Sequence, residues 1–417
     1  MTSDADILRA LFDAALNAAL PDGKFDGCLP PKPKGRTIVL GAGKASARMA
    51  AAFETAWSRA GGTCEGLIVT RYGHAVPTGS IAVVEAAHPV PDEAGLNAAR
   101  RILALAQSAG PDDLVVCLIS GGASALLSLP AEGVTLADKQ ALNRALLKSG
   151  APIGEMNLVR KSLSAIKGGR LASSIKGAKL VTYLISDVPG DDPSSIGSGP
   201  TIPERIDPET ALSILRKYDI AVPAHVEQTI RANGIEKPAE GGVVHMLATP
   251  KMALDAAAAK AREFGLTPLI MGDAIEGEAR EVGRVMAGVA RSAAMHGEPA
   301  KAPCVLLSGG ETTVTVRGQG RGGRNAEFLL SLALSLKGET AIAAIACDTD
   351  GIDGSEDNAG AWFDSSLYED ARKKGVDLTG HLDANDAYTA FASLGRLVIT
   401  GPTLTNVNDF RCILVRS

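Results

Sequence analysis

Aromatic residues are scarce, only 4% of 417 positions. A core of this size must then be filled by Ala, Gly, Val and Leu, which suit contacts between helices and sheets and mark a soluble α/β composition. The six cysteines contain no C-x-x-C pair, and the six histidines no H-x-x-x-H pair. Neither a disulfide framework nor a zinc site is expected, and Cys117, Cys304 and Cys347, in apolar strand-like runs, read as small buried hydrophobes in a reducing compartment. No excess of positive charge exists either: the net charge is −5, which argues against nucleic acid as a partner. No apolar run approaches the ~20 residues that cross a membrane. Met1–Asp6 carries acids rather than a basic region, and Ile7, Leu8, Leu11, Phe12, Ala15 and Leu16 fall on one helical face, so a helix is expected there and not a signal peptide. The expected location is the cytoplasm.

What the chain does have is alternation. Strands are expected at 37–40, 67–70, 81–85, 114–119 and 180–185, with helices at 45–57, 94–107, 136–149 and 154–166 between them. The polar stretch 236–241 reads as a linker, after which strands and helices resume, including a strand at 312–316, a helix at 383–391 and a last strand at 412–415. Two domains follow, 1–236 and 242–417. The fold class is α/β, with two domains of mostly parallel sheet flanked by helices. Echoes connect the halves: VCLISGG at 116–122 and CVLLSGG at 304–310 each run a buried strand into Ser-Gly-Gly, and LISDVPGD at 184–191 has a counterpart in IACDTDGID at 345–353. Ligands bind beyond the carboxyl ends of strands in open α/β sheets, so the expected site is the inter-domain cleft.

Cys304–Phe328 reads as strand, glycine turn, strand, loop and helix. In the loop, Gly318, Gly320, Gly322 and Gly323 alternate with Arg317, Arg321 and Arg324. Glycines turn backbone N–H groups toward one point, arginines match carboxylate and phosphate oxygens, and the positive end of a helix opens at Asn325. An anion site is expected here. The G-x-G-x-x-G formed by Gly318, Gly320 and Gly323 does not open a βαβ unit and is no dinucleotide fingerprint.

The first turn, Gly41-Ala42-Gly43-Lys44-Ala45-Ser46, is neither a Walker loop nor a complete Rossmann turn, since Ser46 stands where the third glycine belongs. Lys44 opposes the dipole of the helix it opens, which points to a nearby anion. Asp187, Asp191 and Asp192 form one acidic loop and Asp348, Asp350 and Asp353 another. Such acids suit Mg²⁺, and also capping and turn-making. Asn157, Arg160, Lys161 and Lys167 share one side of an expected helix and suit a carboxylate. His88 is a further polar candidate.

These residues carry a resemblance. GAGKAS at 41–46, HPVPDEAG at 88–95, LISGGASALL at 118–127, ISDVPGDDPSSIGSGPT at 185–201, SGGETTVTVRGQGRGGRNAEF at 308–328, TDGIDG at 349–354 and TGPTLTNVNDF at 400–410 resemble, in order, the glycerate 2-kinases with a C-terminal MOFRL domain. That family has often been labelled hydroxypyruvate reductase. The resemblance implies ATP- and Mg²⁺-dependent phosphorylation of D-glycerate at the 2-hydroxyl, with a last strand packing back on the first domain and a homodimer left open. It implies catalytic roles for Lys44 and Arg324, with Asp187 orienting the hydroxyl or holding metal. Substrate and phosphate contacts would come from Gly43, Ser46, His88, Ser120, Gly121, Gly122, Asn157, Arg160, Lys161, Ser308, Gly309, Gly310, Glu311, Gly322, Gly323 and Asn325. Metal contacts would come from Asp191, Asp350 and Asp353. The family usually has a small residue where this chain has Leu404. Two rival readings are an NAD(P)H-dependent hydroxypyruvate reductase and a non-catalytic sugar-acid sensor.

Overall fold

The computed structural model describes residues 2–238, 240–339 and 341–416; Ala239, within the expected linker, lies outside them. The chain forms two compact units, Pro21–Leu247 and Met1–Leu20 with Ala248–Ser417. No helix among the described residues is long and apolar enough to cross a membrane.

The unit Pro21–Leu247 is built on six strands: β1 Thr37–Ala42, β2 Glu65–Arg71, β3 Ile81–Ala86, β4 Leu114–Ile119, β5 Lys179–Ile185 and β6 Val243–Ala248, in the order β3-β2-β1-β4-β5-β6. The pairings of β1 with β2 and β4, of β2 with β3, and of β4 with β5 are all parallel. Every residue of β1 and β4 is buried, as a parallel strand covered on both faces requires. Strand order reverses between β1 and β4. The turns that leave these two strands therefore stand side by side at the switch point, where doubly wound sheets bind ligands. A side layer of helices, among them Leu136–Ser149, Ile153–Ser162, Pro208–Lys217 and Ala224–Ala232, has its own core of Leu142, Leu146, Val159, Leu212, Leu215 and Ile230. The helix expected to reach 166 stops at Ser162. Gly168 and Gly169 take left-handed φ of 62° and 80°, so Lys167 lies in a turn and not on a helical face.

The other unit adds β7 Thr267–Gly272, β8 Gly277–Glu278, β9 Cys304–Gly310, β10 Thr312–Thr313, β11 Ile342–Asp348, β12 Gly360–Phe363, β13 Leu397–Val398 and β14 Asp409–Val415. Its main sheet runs β13-β12-β11-β14-β9-β7. Only β7 and β9 pair in parallel; the other four pairings are antiparallel. This sheet is thus mixed, and β12, which has no helix between it and β11, was not foreseen. β14 lies inside this sheet, between β9 and β11. The domain division also changes at the start of the chain. Helix Asp4–Ala19 joins the Ala248–Ser417 unit, with Phe12 against Phe410 at 5.7 Å between ring centres, Thr405 donating to the Ala19 carbonyl at 2.7 Å, and Arg416 paired with Asp4. Its apolar face announced a helix but not the sheet it covers. The helix expected at 383–391 is two, Leu378–Asp383 and Ala387–Leu394. Between them Asn385 adopts φ 54° and its side-chain oxygen accepts from Arg317 N and Gly318 N at 2.8 and 3.0 Å.

Candidate functional site

At the switch point the turns after β1 and β4 are joined by hydrogen bonds. Lys44 N donates to the Gly121 carbonyl at 2.8 Å and Ala45 N to Ser120 Oγ at 3.0 Å. Ser46 Oγ donates to the carbonyls of Gly43 and Val69 at 2.8 and 3.0 Å. A Cβ on Gly43 would lie 2.1 Å from Ser120 Oγ, so glycine is required there by the neighbouring turn. The N–H groups that would receive a phosphate at this helix start are therefore used internally. Gly43, Ser46, Ser120 and Gly121 are thus brought together in one joint between the two turns. Gly122 is different. It takes φ 80°, and a Cβ there would approach His88 Cδ2 and Lys44 Cγ at 3.1 and 3.2 Å. Lys44 and His88 thus meet over Gly122, at the carboxyl edge of a sheet from which the loop bearing Asp187 and Asp191 also departs after β5.

Beside them lies a cavity of about 240 Å³ whose wall includes His88, Gly122, Lys139, Asn143, Arg160 and Lys167, and no carboxylate. Arg160 donates to the amide oxygens of Asn143 and Asn157 at 2.8 and 3.2 Å, so Asn157 orients the arginine. Lys167, 3% exposed, donates to the Ser124 carbonyl. The Lys139 ammonium nitrogen is buried and has no hydrogen-bond partner among the described residues. Burial, reinforced by Arg170 and Arg160, pushes the Lys139 ammonium down to about 7. Burial also lowers Lys167 well below the usual lysine value, with Lys139, Arg160 and Lys161 adding to the effect. Lys161, expected here, instead pairs with Glu204. Sequence reasoning missed Lys139. It sits in the first turns of helix Leu136–Ser149, where a cation opposes the helix dipole, the same signal that singled out Lys44.

A larger cavity, about 870 Å³, lies at the amino ends of β4, β5 and β6, against Leu114, Lys179 and Val243. Parallel sheets carry their ligand loops at the other end, and the chemistry assembled above is at that other end.

The glycine-arginine stretch turns out differently from its expectation. Ser308, Gly309 and Gly310 remain in β9, in register with Arg411, Phe410 and Asp409 of β14. A Cβ on Gly310 would meet the Ile275 backbone at 2.2 Å, so this glycine admits a neighbouring stretch of chain. In the following loop, Gly320 N donates to the Ala384 carbonyl at 3.0 Å and Arg321 N to Asp386 at 2.8 Å. The Arg321 side chain pairs with Glu356 and stacks 4.4 Å above Tyr388. Gly322 takes φ 138° facing Tyr388 N, and Gly323 leaves room for Asp353 Oδ1, which a Cβ would meet at 2.2 Å.

Arg324 does stand at the centre of a cluster, an acidic one. It donates to Asp409 at 2.8 Å, and to Glu311 and Asp348 at 3.0 Å each. Burial opposes its charge, but Asp409, Asp348 and Glu311 outweigh burial and raise its pKa. Arg411, 1% exposed, takes the other Asp409 oxygen and lies 5.2 Å over Phe328. Asp353 accepts from Asn325 N and Ala326 N at 3.0 and 2.9 Å and so caps helix Arg324–Leu336. Burial raises its carboxyl to about 6, against the pull of those two N–H groups. Asn325 is fully buried, with its amide on Asp409 at 2.8 Å. Asp353 and Asn325 thus hold the start of this helix against Asp409. Asp350 Oδ1 accepts from Ile352 N at 2.9 Å. Among the described residues no group of three or more His, Cys, Asp or Glu side chains forms a metal cage.

The parallel sheet thus carries, at its switch point, a cationic cavity beside a lysine and a histidine. The family described as a domain of unknown function, DUF4147, matches residues 7–231, and the MOFRL family matches residues 304–409. D-glycerate 2-kinase of Thermotoga maritima is 40% identical over 95% of this chain and 94% of its own length. A protein of Agrobacterium vitis with a provisional hydroxypyruvate reductase name is 55% identical over 99% of this chain and 95% of its own. The crystal structure of glycerate kinase from Thermotoga maritima superposes with a TM-score of 0.89 at 38% identity, covering 98% of each chain. The chain belongs to the DUF4147–MOFRL family of glycerate kinases.

Proposed function

We propose that this protein transfers the γ-phosphoryl group of ATP to the 2-hydroxyl of D-glycerate, giving 2-phosphoglycerate and ADP. The observation that carries the reading is the carboxylate-free cavity lined by Lys139, Arg160, Lys167 and His88, adjoining Lys44 at the carboxyl edge of the parallel sheet. Phosphoryl transfer asks a protein mainly for positioning and for positive charge on the transferring oxygens, and this edge supplies both. Lys44 stabilises the transferring group. Asp187, on the loop after β5, orients the attacking hydroxyl. Arg324, held by Glu311, Asp348 and Asp409, is fixed in orientation before any ligand arrives. Mg²⁺ keeps several waters and takes one or two carboxylates alongside phosphate oxygens. It needs no cage of protein ligands and would enter on the nucleotide, with Asp191, on the loop after β5, a candidate carboxylate.

The reductase reading has two observations in its favour, the strand order and the name carried by the Agrobacterium vitis relative. Against it stand the N–H groups of Lys44 and Ala45. A dinucleotide pyrophosphate would need the start of this helix, and both groups are committed to the β4 turn. The two readings separate in one comparison: ADP release with D-glycerate, ATP and Mg²⁺, against NAD(P)H oxidation with hydroxypyruvate. A sensor would bind glycerate and turn over neither.

A further inference from the structure

The cavity beside His88 has more positive charge than glycerate can match. Three cationic side chains line it and no acid does. Among the described residues, Lys167 donates to the carbonyl of Ser124, Arg160 to the neutral amides of Asn143 and Asn157, and the Lys139 nitrogen to none. A buried ammonium without a partner is costly, and a ligand that supplies several anionic oxygens at once would remove that cost. Glycerate brings a single negative charge. A phosphoryl group brings nearly two, on three acceptor oxygens. The volume, about 240 Å³, is below the ~300 Å³ at which pockets begin to enclose whole drug-sized ligands, so the occupant is a small polyanion or the anionic end of a larger molecule.

We infer that this cavity is a phosphoryl subsite in which Lys139, Lys167 and Arg160 together hold a phosphate group, with Lys139 as a recognition residue. The inference rests on the kinase reading, which supplies two sources of that group: the phosphorylated acid and the terminal phosphates of the nucleotide. Protonation follows from the same geometry. Arg170, Arg160 and Lys167 act on the charge of Lys139, and His88 lines the same cavity; the arginines stay cationic. With its free-state pKa near 7, Lys139 is partly neutral at pH 7.5, and a bound phosphate favours its charged form. Binding therefore takes up protons above pH 7 and less below pH 6, where Lys139 is already charged.

Isothermal titration of the full chain at pH 7.5, in two buffers of different ionisation enthalpy, tests this with three probes: inorganic tripolyphosphate, D-2-phosphoglycerate and D-glycerate. We expect proton uptake with the phosphoryl probes. Lys139→Met should weaken at least one of them by roughly tenfold or more, the loss of a charge-assisted contact, and leave glycerate unchanged. The probe that suffers identifies the source of the phosphate. Lys139→Arg should keep most of the affinity and lose part of the proton uptake, since arginine does not titrate in this range. Should Lys139→Met fail to fold, by circular dichroism, the arginine variant decides alone. Unchanged phosphoryl binding in Lys139→Met, a loss confined to glycerate, or undiminished proton uptake in Lys139→Arg would overturn the assignment. ADP release by the wild type is measured separately, so failure of the kinase reading is distinguishable from failure of the subsite.

Discussion

Single residues carry the sharpest expectations. Lys44 lies against Gly122 and His88 at the switch point. If it stabilises charge in the transition state, Lys44→Met should lower kcat by ~10²-fold or more with an unchanged melt. Arg324 differs because it is also structural. Two of its partners, Asp348 and Asp409, are almost fully buried, and a lysine cannot span three carboxylates. Arg324→Lys should therefore lower both kcat/KM and thermal stability, the latter by up to ~3 kcal/mol as buried acids lose their partner. A variant that melts normally and turns over normally would remove Arg324 from both roles. Leu404 is a simpler case. Its φ is 64°, the left-handed region that costs a branched side chain ~1–2 kcal/mol and that glycine enters freely. Leu404→Gly should therefore raise unfolding free energy by roughly 0.5–1 kcal/mol once glycine's extra chain entropy is deducted. A urea melt reads it, and lower stability would show that leucine's packing outweighs the strain.

Elements were legible where their pattern is local. β4 and helix Leu136–Ser149 fall where the periodicity places them, because a wholly apolar run and a capping Thr135 are signals contained in the segment itself. The Ser308–Gly310 stretch, expected as a turn, stays in β9, because glycine serves two purposes. It can turn a chain toward an anion, or admit another backbone, here Ile275, and no single sequence distinguishes them. The mixed direction of the second sheet was equally hidden, since a strand's apolar pattern is silent about the direction of its partner. Helix Arg324–Leu336 carries a testable consequence of its cap. Asp353, buried, titrates near 6 when folded and near 3.9 when unfolded. The folded state then binds more protons between those values, so this group's contribution to stability is present below about pH 4 and is lost as pH rises through 6. Denaturant melts at pH 4.5, 5.5 and 6.5 should show Asp353→Asn with a less negative slope than the wild type. The variant should also be weaker throughout by ~1–3 kcal/mol for the helix N–H it leaves unmet. Parallel slopes would refute the assignment.

At the scale of the whole molecule, the α/β class could be read from the chain, whereas the cavity could not. Lys139 and Lys167 lie 28 residues apart, on a helix and in a glycine turn, and only the folded side layer brings them to one wall. The first helix shows the same limit, because Ile7, Leu8 and Phe12 require some apolar partner without naming β14. Cation and cofactor demands apply to the entire enzyme. Turnover should stop with EDTA and return with Mg²⁺ or Mn²⁺, hard cations that oxygen ligands suit; full activity after exhaustive chelation would contradict the phosphoryl-transfer account. NADH and NADPH should not bind in the micromolar range, which a fluorescence titration checks. The most direct measurement is a single assay on the purified full chain with D-glycerate, ATP and Mg²⁺, following ADP and identifying the product by ³¹P NMR, beside a parallel sample with hydroxypyruvate and NAD(P)H. The account predicts stoichiometric ADP and 2-phosphoglycerate in the first sample and no nicotinamide oxidation in the second; nicotinamide oxidation without ADP release would contradict it.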